Sequence, residues 1–391
     1  MTIGQTWKSE ICTFTDSKTG REITQLTQSG NNVHLYFTEN SFDSVKNEII
    51  FVSDRASGQD KLPHDHPVYQ IFKMDLSSGL ITQLIDEPGG AGVHSVTKTA
   101  DSQLIVYVTG KQIKALDTVN NTTTLLYEEA GNFSMGAPSI ACNRRYVGFA
   151  RDEIVEAPEG PNYTGFKESF YRIKDGRITL AYLDGSGSFD ALKDTHWVGH
   201  FQFCPDDPTL ATYCHEGPWN LVTQRIWLLD FVSGEAKPCF RQDEWDSIGH
   251  EFWTQDGYVF FDDRGPGHDG TITSSRTQAV ATEVAINQND MIPFVGLVDR
   301  KGNLVKKIDM PYYCNHYHAN PDNSVLVGDE DDDLVLVDIS GTQPSLQVLC
   351  NHKTSWHTQS SHCHPTWSWD GSRILYASDT GGKVNLYLVK P

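Results

Sequence analysis

Residues 359–364 read QSSHCH, which puts Gln359, His362 and His364 within six residues. On an extended segment, side chains two apart face the same way, so the imidazoles of His362 and His364 point together. Two such rings repel when protonated, and burying them neutral without partners wastes their polar atoms. A shared metal ion removes both difficulties. Independent loop histidines, each hydrogen-bonded to backbone, are the plainer alternative. A second H-x-H, His316 and His318 in CNHYHANPD, lies upstream.

Three imidazoles and an amide carbonyl, from His316, His362, His364 and Gln359, suit a divalent first-row ion with positions left open for water or substrate. Calcium prefers carboxylate and carbonyl oxygens. With no charged ligand, such a site keeps the full positive charge of its ion and is a good receptor for a substrate carboxylate. Cys363 points away from its neighbours on a strand and is not expected to ligate, whereas His318 competes with His316. His250, between Gly249 and Glu251, is a candidate acid or base. Arg225, in TQRIWLLD, reads either as a surface charge on a strand or, facing inward, as a bidentate holder of a carboxylate. His200 in WVGHFQF and His215 in YCHEGPWN flank one strand, and His34 sits in NNVHLYF.

Residues this far apart in sequence meet only if the fold gathers them. Helical periodicity is scarce; short β-branched and aromatic runs alternate with Asp, Asn, Gly and Ser turns. One unit recurs seven times, with anchor turns at Asp43, Asp101, Asn143, Asp206, Asp256, Asp322 and Asp370. The irregular spacing suits propeller blades that carry loops on one face. The seventh copy stops after its third strand, at NLYLVKP, and SKTGREITQLT near the start resembles the missing turn and strand. The expectation is therefore an all-β, seven-bladed β-propeller, one domain over 1–391, closed by a strand at about 21–27 that completes the last blade and removes the sheet edges. A pair of sandwiches, or a ring of six or eight blades, is the alternative. Each histidine motif then precedes a blade's innermost strand or flanks it, where loops converge on one end of the channel.

Composition narrows the function further. The 391 residues carry 31 basic and 51 acidic side chains, net −20, which argues against nucleic acid or an anionic membrane as partner. It also means that an acidic substrate needs local cations. No window approaches a membrane span, and the opening MTIGQTWKSEICTF lacks an apolar signal core. Eight scattered cysteines without C-x-x-C spacing read as reduced thiols, so the expected location is cytoplasmic.

Together WVGHFQFCPDD, YCHEGPWNLVTQRIWLLD, GHEFW, CNHYHANPDNSVLVGD and QSSHCHPTWSWDGSRILYASD resemble the oligogalacturonate lyases, seven-bladed propellers acting on pectin breakdown products. The resemblance runs along essentially the whole chain. It implies a manganese site on His316, His362, His364 and Gln359, a Brønsted base at His250, a catalytic or substrate-binding arginine at Arg225, and substrate contacts at His200 and His215. The implied partner is a small acidic oligosaccharide, cleaved by β-elimination. His318 replaces a less polar residue of the family, and two inserts, DKLPHDHPVYQ and the segment from Asp263 to Asp290, are longer than its pattern. These leave open a lyase for another uronate oligosaccharide. A non-catalytic propeller scaffold of the TolB type is the remaining alternative. The sequence does not fix the oligomeric state.

Overall fold

The computed structural model describes residues 3–160, 163–271 and 292–391. Most of the fifth-blade insert therefore lies outside the described residues. Seven antiparallel sheets follow one another in chain order, and inner strands of neighbouring blades touch, as Val198–Phe203 touches Ser139–Ile140 before it and Ile248–Trp253 after it. Blade one is built from Asn32–His34, Glu48–Ser53, Gln70–Asp75 and Ile81–Gln83; blade four from Val198–Phe203, Leu210–His215, Ile226–Asp230 and Glu235–Pro238. Blade five starts at Ile248–Trp253 and blade six at His316–Ala319. Among the described residues the only α-helix is Phe166–Arg172.

The ring closes as the sequence predicts. Glu22–Gln25 pairs antiparallel with Asn385–Val389, the last strand of the chain, and so supplies the fourth strand of blade seven. The segment does more than the repeat foretells. Cys12–Thr15 adds a fifth strand outside it, and Thr6–Trp7 pairs with the outer strand of blade one. The first residues thus bind both sides of the seam, with Leu26 N–H donating to the Leu386 carbonyl at 2.8 Å.

The anchor turns repeat one piece of chemistry. Asp101, Asp256 and Asp370 each accept a hydrogen bond from a hydroxyl two residues earlier, Thr99, Thr254 and Ser368, at 2.6–2.7 Å. Neighbouring blades are tied through the same carboxylates: Arg144 of blade three pairs with Asp101 at 2.6 Å, and Asn323 of blade six donates to Asp256 at 2.6 Å. The core lies between blades. One apolar cluster joins blades seven, one and two through Leu386, Val33, Phe51 and Tyr107; another joins five and six through Phe260, Tyr317 and Val335.

Ile23, 1% exposed in the closing strand, packs against Trp367 and Val389 of blade seven. Ile23→Ala is expected to lower the unfolding free energy by about 2–4 kcal/mol in chemical denaturation, whereas the same change at exposed Ile3 leaves it within about 0.5 kcal/mol.

Candidate active site

Two inner strands share a local device, and His364, just before a third, shares its backbone conformation. In VGHFQF and IGHEFW the pairing register shifts across Gly199–Gln202 and Gly249–Phe252, and the histidine at each bulge has positive φ, 46° at His200 and 45° at His250. His364 has φ 44°. Non-glycine residues held there cost of order 1–3 kcal/mol and concentrate at functional sites. A bulge re-aims the side chain, here into the channel. Gly249 is obligatory, because a Cβ on it would lie 1.9 Å from the Trp219 ring.

His316, His362 and His364 come together. Each is at most 3% exposed, and each offers a ring nitrogen within 4.8 Å of the others. Ring centroids of His316 and His364 are 4.2 Å apart, and His362 is 5.5 Å from both. Asp329 takes the Nδ1–H of His316 at 2.9 Å and its backbone N–H at 2.6 Å, which leaves His316 Nε2 with its lone pair. Neither nitrogen of His362 has a hydrogen-bond partner, nor does Nε2 of His364. Burial pushes the imidazole of His362 down to about 3 and those of His316 and His364 well below the usual range, so all three stand neutral. Neutral buried nitrogens with unused lone pairs fit a cation, since without one each forfeits a hydrogen bond.

The extended geometry expected for QSSHCH is not what holds these rings. Gln359–Ser361 is a 3-10 turn, and the residues after it follow an irregular path whose direction is set from outside. Nε2 of His34 in blade one lies 3.0 Å from the carbonyl of Cys363, beside the link between the two ligand candidates. The Cys363 side chain is buried in the blade-seven core, away from the cluster. Gln359 is exposed and borders the channel cavity with Tyr36, His94 and His200, whereas the three imidazoles are buried. His318 does not compete with His316: it stacks on Phe252 with centroids 5.4 Å apart and accepts the Trp367 N–H, lining a separate cavity with Glu39 and Lys98.

His250 lies beside this cluster, its ring centroid 4.6 Å from that of His316. Burial, and then the neighbouring His316, Arg264 and Arg225, drive its pKa well down and keep it neutral. Its Nδ1 faces two groups that sequence reasoning missed. Arg264 donates to it at 3.2 Å, and Asp262 Oδ1 stands 3.6 Å away. Arg264 is 3% exposed, anchored on the Asn315 and Thr271 carbonyls, and lies over the Trp219 ring at 4.6 Å. It sits at the start of the long insert, where its setting conceals it.

Arg225 does face inward, but its fork is taken by the protein. It is 2% exposed, with NH1 3.0 Å from Glu216 and Nε 3.2 Å from Glu251. Both glutamates also approach the His200 ring at 3.4 Å. Burial works to raise the Glu216 carboxyl, but Arg225 and His200 outweigh it and hold that carboxyl at about 2. His215 is not in this group. Its Nε2 is 3.0 Å from Asp194, its ring stacks on His196 at 4.2 Å, and it lines a side cavity with Lys174 and Gln224. Tyr36 and His94, unmarked by any motif, complete the wall around His364 at centroid distances of 4.9 and 5.2 Å.

The model of one protein family, described as oligogalacturonate lyase, matches residues 1–391. The chain is 23% identical to an oligogalacturonide lyase of Pectobacterium atrosepticum and 24% identical to an oligogalacturonate lyase of Dickeya dadantii; each alignment covers 97% of this chain and 95% of the relative. It superposes on a solved oligogalacturonate lyase in complex with manganese with TM-score 0.83, at 21% identity, covering 100% of this chain and 98% of the other.

Removing Arg225 would strand two carboxylates in the interior. Arg225→Ala is therefore expected to cost about 3–5 kcal/mol of stability, measured by denaturant unfolding of the metal-free protein. An arginine reserved for substrate would leave that value unchanged.

Proposed function

The chain belongs to the oligogalacturonate lyase family, and from that premise we propose that it cleaves short oligogalacturonates, including digalacturonate, by metal-dependent β-elimination. The observation that carries this reading is a set of three buried imidazoles with unused nitrogens directly beside a neutral buried histidine, His250. His316, His362 and His364 hold the ion, with Gln359 as fourth donor. Manganese, the ion named for the similar solved structure, is the cofactor of this reading; the carbonyl of Gln359 and a substrate carboxylate are oxygen donors of the kind that suit it. When bound, the ion neutralises the C6 carboxylate of the substrate and so acidifies the adjacent C5–H.

The chain's own groups do the rest. Neutral His250 takes the C5 proton; the C5 electron pair forms the C4–C5 double bond as the C4–O bond breaks, and water protonates the departing oxygen. Nδ1 of His250 faces Arg264 and Asp262, so Nε2 is the nitrogen left for substrate. Nε2 is basic only with the ring hydrogen on Nδ1, so Arg264, which donates to Nδ1 in the free protein, must give way when His250 acts as base. Arg225 acts as a positioning residue: it holds Glu216 and Glu251, which in turn orient His200 toward the substrate. His215 lies in the side cavity and takes no part in the step. The product carries a 4,5-unsaturated non-reducing end. One propeller domain over 1–391 serves this activity in the cytoplasm; no helix among the described residues is long and apolar enough to cross a membrane.

A panel of digalacturonate, longer oligogalacturonates and other uronate oligomers, followed by the ultraviolet absorbance of the unsaturated product, tests the reading. Activity is expected on the galacturonates, lost with chelator and restored by manganese; a preference for another uronate would move the substrate but keep the chemistry. His250→Ala is expected to retain manganese by elemental analysis while losing about 10²–10⁴-fold in kcat.

A further inference from the structure

The insert DKLPHDHPVYQ has no part in the elimination, yet it borders the largest of the cavities described, about 840 Å³, on the metal side of the channel. That volume is in the range of sites that enclose a small organic ligand, about 300–1,000 Å³. His64 and His66 come from the insert, His94 from blade two, and His357 from the loop leading to the metal ligands. His94 and Gln359 also line the cavity beside Tyr36 and His200, so the two spaces share a wall. In a chain of net charge −20, four histidines face this space and one acidic residue, Glu159. Asp65, between His64 and His66, does not line the cavity: its carboxylate accepts the Leu62 N–H at 3.0 Å and stands 3.8 Å from His64 Nε2.

The loop is stiff. Pro63 and Pro67 bracket it, Pro63–Asp65 forms a 3-10 turn, and His66 closes that turn in the left-handed region at φ 50°. Proline fixes φ on both sides, so little freedom is lost when a ligand docks. Imidazole N–H groups donate to carboxylates, and hydrogen bonds to a charged acceptor are worth about 1.5–3 kcal/mol.

We propose that this cavity binds the neighbouring uronate residue of the oligomer, its carboxylate received by His64, His66 and His357. The assignment rests on the lyase reading, because continuity with the reaction centre is what selects an oligomer. It makes the enzyme specific for a second acidic sugar.

The test uses manganese-loaded full-length protein. In calorimetric titrations against digalacturonate on a His250→Ala background, the added pair His64→Ala and His66→Ala is expected to weaken binding about tenfold or more. On the otherwise native enzyme the pair is expected to raise KM by a similar factor with kcat within about twofold, the split expected when uniform binding is lost. With the non-reacting residue methyl-esterified, the variant and its parent should bind equally, which a merely structural role of the loop would not produce. Unchanged affinity for digalacturonate in the variant, or no binding by its parent, overturns the assignment. The lyase reading stands or falls separately, on whether the native enzyme eliminates at all.

Discussion

Three buried imidazoles whose nitrogens find too few protein partners set the terms for everything around them. A hydrophobic channel would tolerate such groups only if something else completed them. The fold commits considerable structure to keeping them in place. Asp329 fixes the tautomer of His316, a carbonyl contact from His34 pins the loop between His362 and His364, and His364 itself is held at positive φ. These constraints come from blades one, six and seven, so the site exists only when the ring is closed. Closure in turn depends on the N-terminal strand beside Asn385–Val389.

The same architecture answers the electrostatic difficulty of an acidic protein with the acidic substrate proposed for it. Cations are concentrated where the inner strands converge. Arg225 and Arg264 flank Trp219 at 5.5 and 4.6 Å, one paired with two glutamates and the other aimed at His250. Low dielectric makes these charges count for more than the many screened carboxylates on the outer surface. Neutral histidines then provide lone pairs and N–H groups without adding to the repulsion among themselves.

Much of this was legible in the sequence, for physical reasons. Strand alternation and Asp- or Asn-anchored turns are local signals, so the blade count and the closing strand could be read directly. His316, His362 and His364 could be grouped because a propeller brings the loops before its inner strands to one end. The misreadings share a different origin. The 3-10 turn at Gln359–Ser361 is closed locally by hydrogen bonds between Thr358 and Ser361, but the path after it is held by His34 of blade one, which no local pattern shows. Arg225 reads either as a surface charge or as inward-facing, and nothing nearby says that Glu216 and Glu251 claim it. Arg264, Asp262 and Asp329 acquire their meaning from a ring nitrogen in space, and His215 was drawn toward the channel although its strand end turns to Asp194.

On the proposed reading, one metal ion held by His316, His362 and His364 enables His250 to act. Manganese content and elimination of digalacturonate, measured on the same preparations of native, His362→Ala and His250→Ala protein, test it most directly. One equivalent of metal and activity are expected in the native enzyme, neither in His362→Ala, and metal without activity in His250→Ala. Full elimination by His362→Ala protein shown to be free of metal would contradict it.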